Sequence, residues 1–236
     1  TTTLYASVSQ LDPKQHNIMT VEDPIEYRFK DINQIQVNRQ ADITFAAGLR
    51  AIMRLDPDIV LVGEIRDAET ANTAIQASLT GHLVMTSIHA NDAVGALLRL
   101  VDLGVENFLV TSAVVATVSQ RLVRKVCPYC KTIRPAPPAE AMAYQQEMQE
   151  VRTDLYYGRG CNFCSQTGFL GRVGLYEMLP LTDQIRQMVN RNAPASEIKA
   201  QALRDGMVSM RRDGMLKARD GLTTPGEVLR SAFGIS

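Results

Sequence analysis

The chain has 236 residues, 45% of them hydrophobic, with 25 lysines and arginines against 25 aspartates and glutamates. That length and apolar content hold one good core plus a smaller satellite and exclude a disordered chain. Charges that cancel leave no global field to steer the protein to nucleic acid or an anionic membrane, and the absence of tryptophan, with 6% aromatic residues, offers no base-stacking platform, so no nucleic-acid partner is expected.

From the N-terminus, apolar strands alternate with amphipathic helices, the pattern of an α/β fold with a mostly parallel sheet and crossover helices. Strands are predicted over residues 17–21, 32–37, 59–62 and 83–88. The run Ile59-Val60-Leu61-Val62 is continuously apolar and belongs in the centre of the sheet, covered on both faces. Thr44 caps a helix over 45–54, Asp67 one over 68–79, and Asn91 or Asp92 one over 93–103; Gly81 and Gly104 fall at C-terminal caps. A long helix is predicted over 106–125 from Leu109, Val110, Ala113, Val114, Thr117 and Leu122 at helical spacing. Arg121, Arg124 and Lys125 would form its cationic last turn, complementing the helix dipole or facing an acidic neighbour.

The composition then changes. Cys127-Pro128-Tyr129-Cys130 opens a module, the proline-rich stretch 135–138 stiffens it, a polar helix follows over 139–151, and Cys161-Asn162-Phe163-Cys164 closes it. A strand over 173–179 leads into helices over 183–190, 196–205, 208–219 and 225–233, with Met207, Met210 and Met215 spaced as core residues. The division expected is an α/β core over 1–125, a cysteine module over 126–171 and a strand-plus-helix subdomain over 172–236. No apolar run approaches the roughly 18–20 residues that cross a bilayer, and no basic-then-apolar signal peptide opens the chain, so a cytoplasmic setting without a transmembrane segment is expected.

Three segments carry chemistry. The apolar strand ending Val62-Gly63-Glu64 delivers an acid to the carboxyl end of a parallel sheet, where ligands bind, and phosphoryl transfer uses such a carboxylate to hold Mg²⁺; a solvated strand-end glutamate is the alternative. Val21-Glu22-Asp23-Pro24-Ile25-Glu26-Tyr27 crowds three carboxylates after a second strand. Paired with Glu64 they point to a metal site, with Glu26 as general base for a water and Glu22 and Asp23 supporting the metal shell. The third segment, His82 to Asp92, puts a histidine at each end of a strand. His89, beside Thr86 and Ser87, is set to sense a γ-phosphate, whereas His82 alone reads equally as a structural group.

Cys127, Cys130, Cys161 and Cys164 form two C-x-x-C pairs. In a reducing compartment that pattern closes a tetrahedral thiolate site around a structural Zn²⁺, with disulfides or free thiols as the alternatives.

These segments resemble the Asp box, Walker B box and His box of the type II secretion and type IV pilus assembly ATPases. The likeness extends over the cysteine module and the Gly-Leu-Thr-Thr-Pro-Gly-Glu-Val tail. The resemblance implies a RecA-like fold and ATP with Mg²⁺ as cofactor. It makes Glu64 the Walker B acid, Glu26 the catalytic glutamate, and His82 and His89 the His-box pair. Arg66, with Arg50 and Arg54, becomes a nucleotide-contacting or inter-subunit cation. It further implies a homo-hexamer acting on an inner-membrane platform and on secretion or pilus assembly proteins. Secretion and extension motors often carry the cysteine module and retraction motors generally lack it, so a pushing motor is expected. The family's glycine-rich phosphate loop would immediately precede Thr1, which resembles its Mg²⁺-binding hydroxyl; this chain alone is therefore expected to bind ATP weakly and to be inactive. The competing readings are a non-catalytic, zinc-stapled assembly module and a retraction or conjugation motor.

Overall fold

The structure, a computed structural model, describes residues 1–232, so Phe233, the last residue of the helix expected over 225–233, lies outside it. In chain order the elements are α1 (Thr2–Val8), β1 (Ile18–Glu22), β2 (Asn33–Gln36), α2 (Phe45–Ile52), β3 (Ile59–Ile65), α3 (Ala68–Leu79), β4 (Leu83–Ile88), α4 (Ala93–Asp102), α5 (Asn107–Ala113), β5 (Ala116–Val126), β6 (Lys131–Pro135), α6 (Pro138–Met148), β7 (Asp154–Gly158), β8 (Phe169–Pro180), α7 (Asp183–Asn190), α8 (Ala195–Arg204), α9 (Met210–Arg219) and α10 (Pro225–Ala232). They form two compact units. One comprises Thr1–Thr117 with Leu181–Ile198, the other Val118–Pro180 with the described residues from Lys199 on.

The first unit is built on a four-stranded parallel sheet of order β2-β1-β3-β4. Ile59 to Val62 are all buried, as a continuously apolar run in an interior strand requires. Alternation sorts the faces: Ile18, Ile59 and Leu61 pack with Val8 of α1, while Val21 points to the other face, under Gly48 of α2. That approach is so close that a Cβ at Gly48 would lie 2.8 Å from Val21 Cγ2. The helix starts follow the expected caps: Thr44, Asp67 and Asp92 accept from the backbone N–H groups of Ala47, Thr70 and Gly95. Asn107 of α5 donates to the Val189 carbonyl and to Asn192 Oδ1, both at 2.8 Å, tying α5 to the end of α7.

The second unit contains two two-stranded sheets, β5-β8 and the antiparallel β6-β7 pair. Its core gathers Val123, Tyr144, Leu155, Leu175, Met215 and Val228. Met210 belongs to the same core, and Met207 is buried as well.

The long helix expected over 106–125 does not form. The helix stops at Ala113, Val114 is extended, and the chain continues as β5. Val114, Val115, Thr117, Val118 and Val123 explain the change: β-branched side chains lose rotamer freedom in a helix and pack well on a pleated surface. The expected cationic helix end is therefore part of a strand. There Arg124 gives its Nη2 to Glu227 Oε1 at 2.6 Å and its backbone N–H to Glu227 Oε2 at 3.0 Å, and Arg230 Nη2 meets Oε2 at 3.0 Å. Burial by itself would raise the Glu227 carboxyl, but these donors outweigh it and hold it down to about 2.

Candidate functional site

The carboxyl ends of β1, β3 and β4 open on a cavity of about 170 Å³ in the first unit. Glu22 and Asp23 line it from the end of β1, Glu26 from the loop beyond, Gly63 and Glu64 from β3, and Ser87 from β4. Helix α1 closes it with Thr1 and Tyr5. Four carboxylates and no cationic side chain are among the described lining residues.

Glu64 reaches this cavity through a local irregularity. Val62 pairs with Thr86 but Ile65 pairs with Ile88, so β3 carries one more residue than β4 across that stretch. The extra residue breaks strict alternation, and Leu61 and Glu64 line the same cavity. Glycine at 63 keeps the approach open: a Cβ there would lie 3.3 Å from both Phe45 Cε1 and the Val21 carbonyl oxygen. Ser87 donates to the Gly63 carbonyl at 2.8 Å and ties β4 to the bend.

Thr1 Oγ1 donates to Glu26 Oε1 at 3.1 Å. Glu64, with a largely sheltered side chain, accepts from Arg66 Nε at 2.5 Å. That hydrogen bond, with the added attraction of the carboxylate charge, raises the Arg66 guanidinium and keeps it cationic. His89 Nε2 lies 3.8 Å from Glu64 Oε2 with its ring in solvent. Thr1, Glu26 and Glu64 thus line one cavity, whereas Arg66 and His89 reach Glu64 without being among the described lining residues.

His82 does neither. It precedes β4, at the end of the parallel sheet opposite Ser87, and its Nδ1 sits 2.8 Å from the Ala77 carbonyl and 3.1 Å from Thr80 Oγ1. The two histidines are separated by a whole strand, so His82 closes the turn after α3 rather than touching the cavity. Arg50 is paired with Glu69 at 2.6 Å, and neither it nor Arg54 lines the cavity.

Glu22 also differs from the expected metal-shell role. It is 4% exposed, and both of its oxygens are taken: Thr20 Oγ1 donates to Oε1 at 2.6 Å, Gln34 Nε2 to Oε1 at 3.0 Å, and Tyr5 Oη to Oε2. A buried carboxylate needs such donors, and here they come from three side chains. Sequence reasoning missed Tyr5, Gln34 and Gln36. The available signals were Thr20 two residues before Glu22, hence on the same face, and amides at 34 and 36 on an otherwise weak strand.

In the second unit the four cysteines come together. Their sulfurs lie within 4.8 Å of one another, with Cys127–Cys161 and Cys130–Cys164 at 3.9 Å and Cys161–Cys164 at 3.7 Å. A tetrahedral ion with metal–sulfur bonds of about 2.3 Å spaces its sulfurs about 3.8 Å apart, whereas a disulfide needs about 2 Å. The donor set therefore fits a thiolate-bound ion. Burial by itself would raise the Cys164 thiol, but the backbone N–H groups of Cys161 and Gly168, at 3.3 and 3.2 Å, bring it down to about 6. Burial pushes Cys130 up to about 11.

Residues 1–230 match the family model described as "Type II/IV secretion system protein". The chain is 50% identical over 229 residues to "Type II secretion system protein E" of Klebsiella pneumoniae, a match covering 97% of this chain and 45% of that protein. Against "Type IV pilus assembly ATPase TfpB" of Acinetobacter baylyi it is 45% identical over 231 residues, 98% of this chain and 40% of that protein. Among solved structures it resembles the pilus retraction motor PilT with bound ADP: TM-score 0.65, 28% identity, 91% of this chain and 52% of that one. The chain thus spans less than half the length of these curated relatives. Its sheet, its acidic cavity and this near end-to-end match agree, and the chain belongs to the type II/IV secretion system protein family.

Proposed function

We propose that the whole protein is an ATP-hydrolysing motor that powers type II secretion or type IV pilus assembly as a homo-hexamer. In this reading it works in the cytoplasm at the inner membrane, held there by a membrane platform and by secretion or pilus assembly proteins. The observation that carries the reading is the convergence of Glu26, Glu64, Asp23 and Thr1 on one cavity at the carboxyl ends of parallel strands. Relatives named for secretion and pilus assembly stand at 45–50% identity, against 28% for the retraction motor, which favours the assembly direction. Among the described residues no helix is long and apolar enough to cross a membrane.

The donor set is all oxygen, which suits Mg²⁺. Bound there, Mg²⁺ with ATP supplies Lewis-acid stabilisation of charge on the transferring phosphoryl group. Glu64 would hold the cation, and Asp23 and the Thr1 hydroxyl, which line the same cavity, are the further oxygen donors available to it. Glu26 orients the attacking water and accepts its proton. Arg66 balances the charge of Glu64, and His89, within 3.8 Å of Glu64, would be the group to sense the γ-phosphate end. The cavity is small beside the roughly 300–1,000 Å³ of sites that enclose whole ligands, so it suits the metal and phosphate end of the nucleotide. With acids and no cations lining it among the described residues, this chain alone should hold ATP weakly and turn it over little. The four cysteines would hold a structural Zn²⁺ that staples the loops of their unit.

The test is steady-state ATPase activity of the full-length protein beside Glu26→Gln and Glu64→Gln. Each variant should lose about 100-fold or more in kcat, the scale of a lost general base or metal carboxylate. Turnover unchanged in both would refute the assigned roles.

A further inference from the structure

Tyr5 is 7% exposed and lies outside the roles assigned above, yet its hydroxyl is the meeting point of the site. It donates to the buried carboxylate of Glu22 and accepts from the backbone N–H of Glu26 at 3.1 Å and of Tyr27 at 3.5 Å. One helical turn earlier, Thr1, the residue that precedes α1, grips the same residue by its side chain, so Thr1 and Tyr5 hold Glu26 at both carboxylate and backbone.

The loop is held from the other side by β2. Gln34, the register partner of Thr20, donates to Glu22 Oε1 and to the Tyr27 carbonyl, both at 3.0 Å, and its Oε1 accepts from Phe29 N at 2.9 Å. Gln36, two residues on, accepts from Ile25 N at 3.3 Å. The ring of Tyr5 packs edge-on against Tyr27 at 5.8 Å and tilted against Phe29 at 5.4 Å. Backbone donors from 25, 26, 27 and 29 all end on side chains of Tyr5, Gln34 and Gln36. A loop whose amides are satisfied by fixed side chains is held in one geometry, and a carboxylate on it is pre-aimed.

We propose that Tyr5, anchored by Glu22 and assisted by Gln34, is a positioning residue that sets the reach of Glu26 into the cavity. The inference rests on Glu26 being the base. Tyr5 acts through Glu26 and does not touch the phosphate. Tyr5→Phe isolates the idea, because it keeps the ring packed against Tyr27 and Phe29 and removes only the hydroxyl.

In the full-length protein, Tyr5→Phe should lower kcat for ATP by about 10- to 100-fold, the cost of a misplaced catalytic group, with KM changed less than about twofold. Hydrogen exchange over the peptide 24–29 should quicken about tenfold while β1 stays protected. Gln34→Ala should act in the same direction. In a Glu26→Gln background Tyr5→Phe should cost nothing further, since two residues acting through one group do not add. A kcat within twofold of wild type beside an inactive Glu26→Gln would overturn the positioning role and leave the base intact. A full additional loss in the double variant would also overturn it. Activity retained by Glu26→Gln itself would remove the base and this inference together.

Discussion

Replacing Glu227 by glutamine tests the electrostatic centre of the second unit. The carboxylate is 3% exposed and takes four hydrogen bonds: two guanidinium contacts from Arg230, one from Arg124, and the Arg124 backbone N–H. Its ionisation falls from an ordinary 4.5 to about 2. At about 1.4 kcal/mol per tenfold in the ionisation constant, that depression is worth at most about 3 kcal/mol. Both arginine side chains are roughly half exposed, at 49% and 54%, so solvent screening reduces the figure to about 2 kcal/mol. A folded-state pKa below the unfolded one gives stability that is complete above about 4.5 and is lost as the pH falls from there toward about 2. Thermal unfolding of wild type and Glu227→Gln at a series of pH values from 8 to 3.5 should show the variant melting about 4–8 °C lower near neutrality. The gap should stay constant down to pH 5.5 and narrow below 4.5. Equal melting at pH 7, or a gap that closes on the alkaline side, would refute the reasoning.

Two further outcomes follow from packing and metal chemistry. Gly48→Ala should destabilise the first unit by about 1 kcal/mol, because the clash with buried Val21 outweighs the gain in helix propensity, and Val21→Ala should relieve it; an unaided gain in stability from Gly48→Ala would contradict the packing. A reduced preparation should carry one Zn²⁺ per chain by elemental analysis, and Cys127→Ser should lose it along with cooperative melting of its unit, whereas a well-folded, zinc-free wild type would remove the metal from the account.

What the sequence discloses here depends on how far apart the partners lie. The Ile59–Val62 run, the helix over 68–79 and the caps at Thr44, Asp67 and Asp92 are local signals, and each reads off a few neighbouring residues. The acids at 22, 23, 26 and 64 stood out only as a pair of acid-bearing strand ends, since either segment alone reads equally as a solvated surface. Residues 114–126 misled because apolar residues at helical spacing competed with β-branched content, and pairing of β5 with the distant β8 decided the outcome. The β6-β7 pair escaped for the same reason, its strands being separated by α6. Tyr5 left no local signal and the amides of β2 only a weak one, because their value lies in reaching a loop and a buried carboxylate held by other elements. His82 stands away from the cavity because the two ends of β4 lie at opposite ends of the parallel sheet, which left its structural reading open in the sequence.

The central claim is that Glu64 and Glu26 divide the labour at one metal–phosphate site. Electron paramagnetic resonance of Mn²⁺ with ATP, titrated into the full-length protein and the two glutamine variants, separates binding from turnover. Glu64→Gln should weaken the bound Mn²⁺–ATP signal at least tenfold, while Glu26→Gln should keep the signal and trap unhydrolysed ATP. Equal Mn²⁺–ATP binding by wild type and Glu64→Gln would contradict the account at its base.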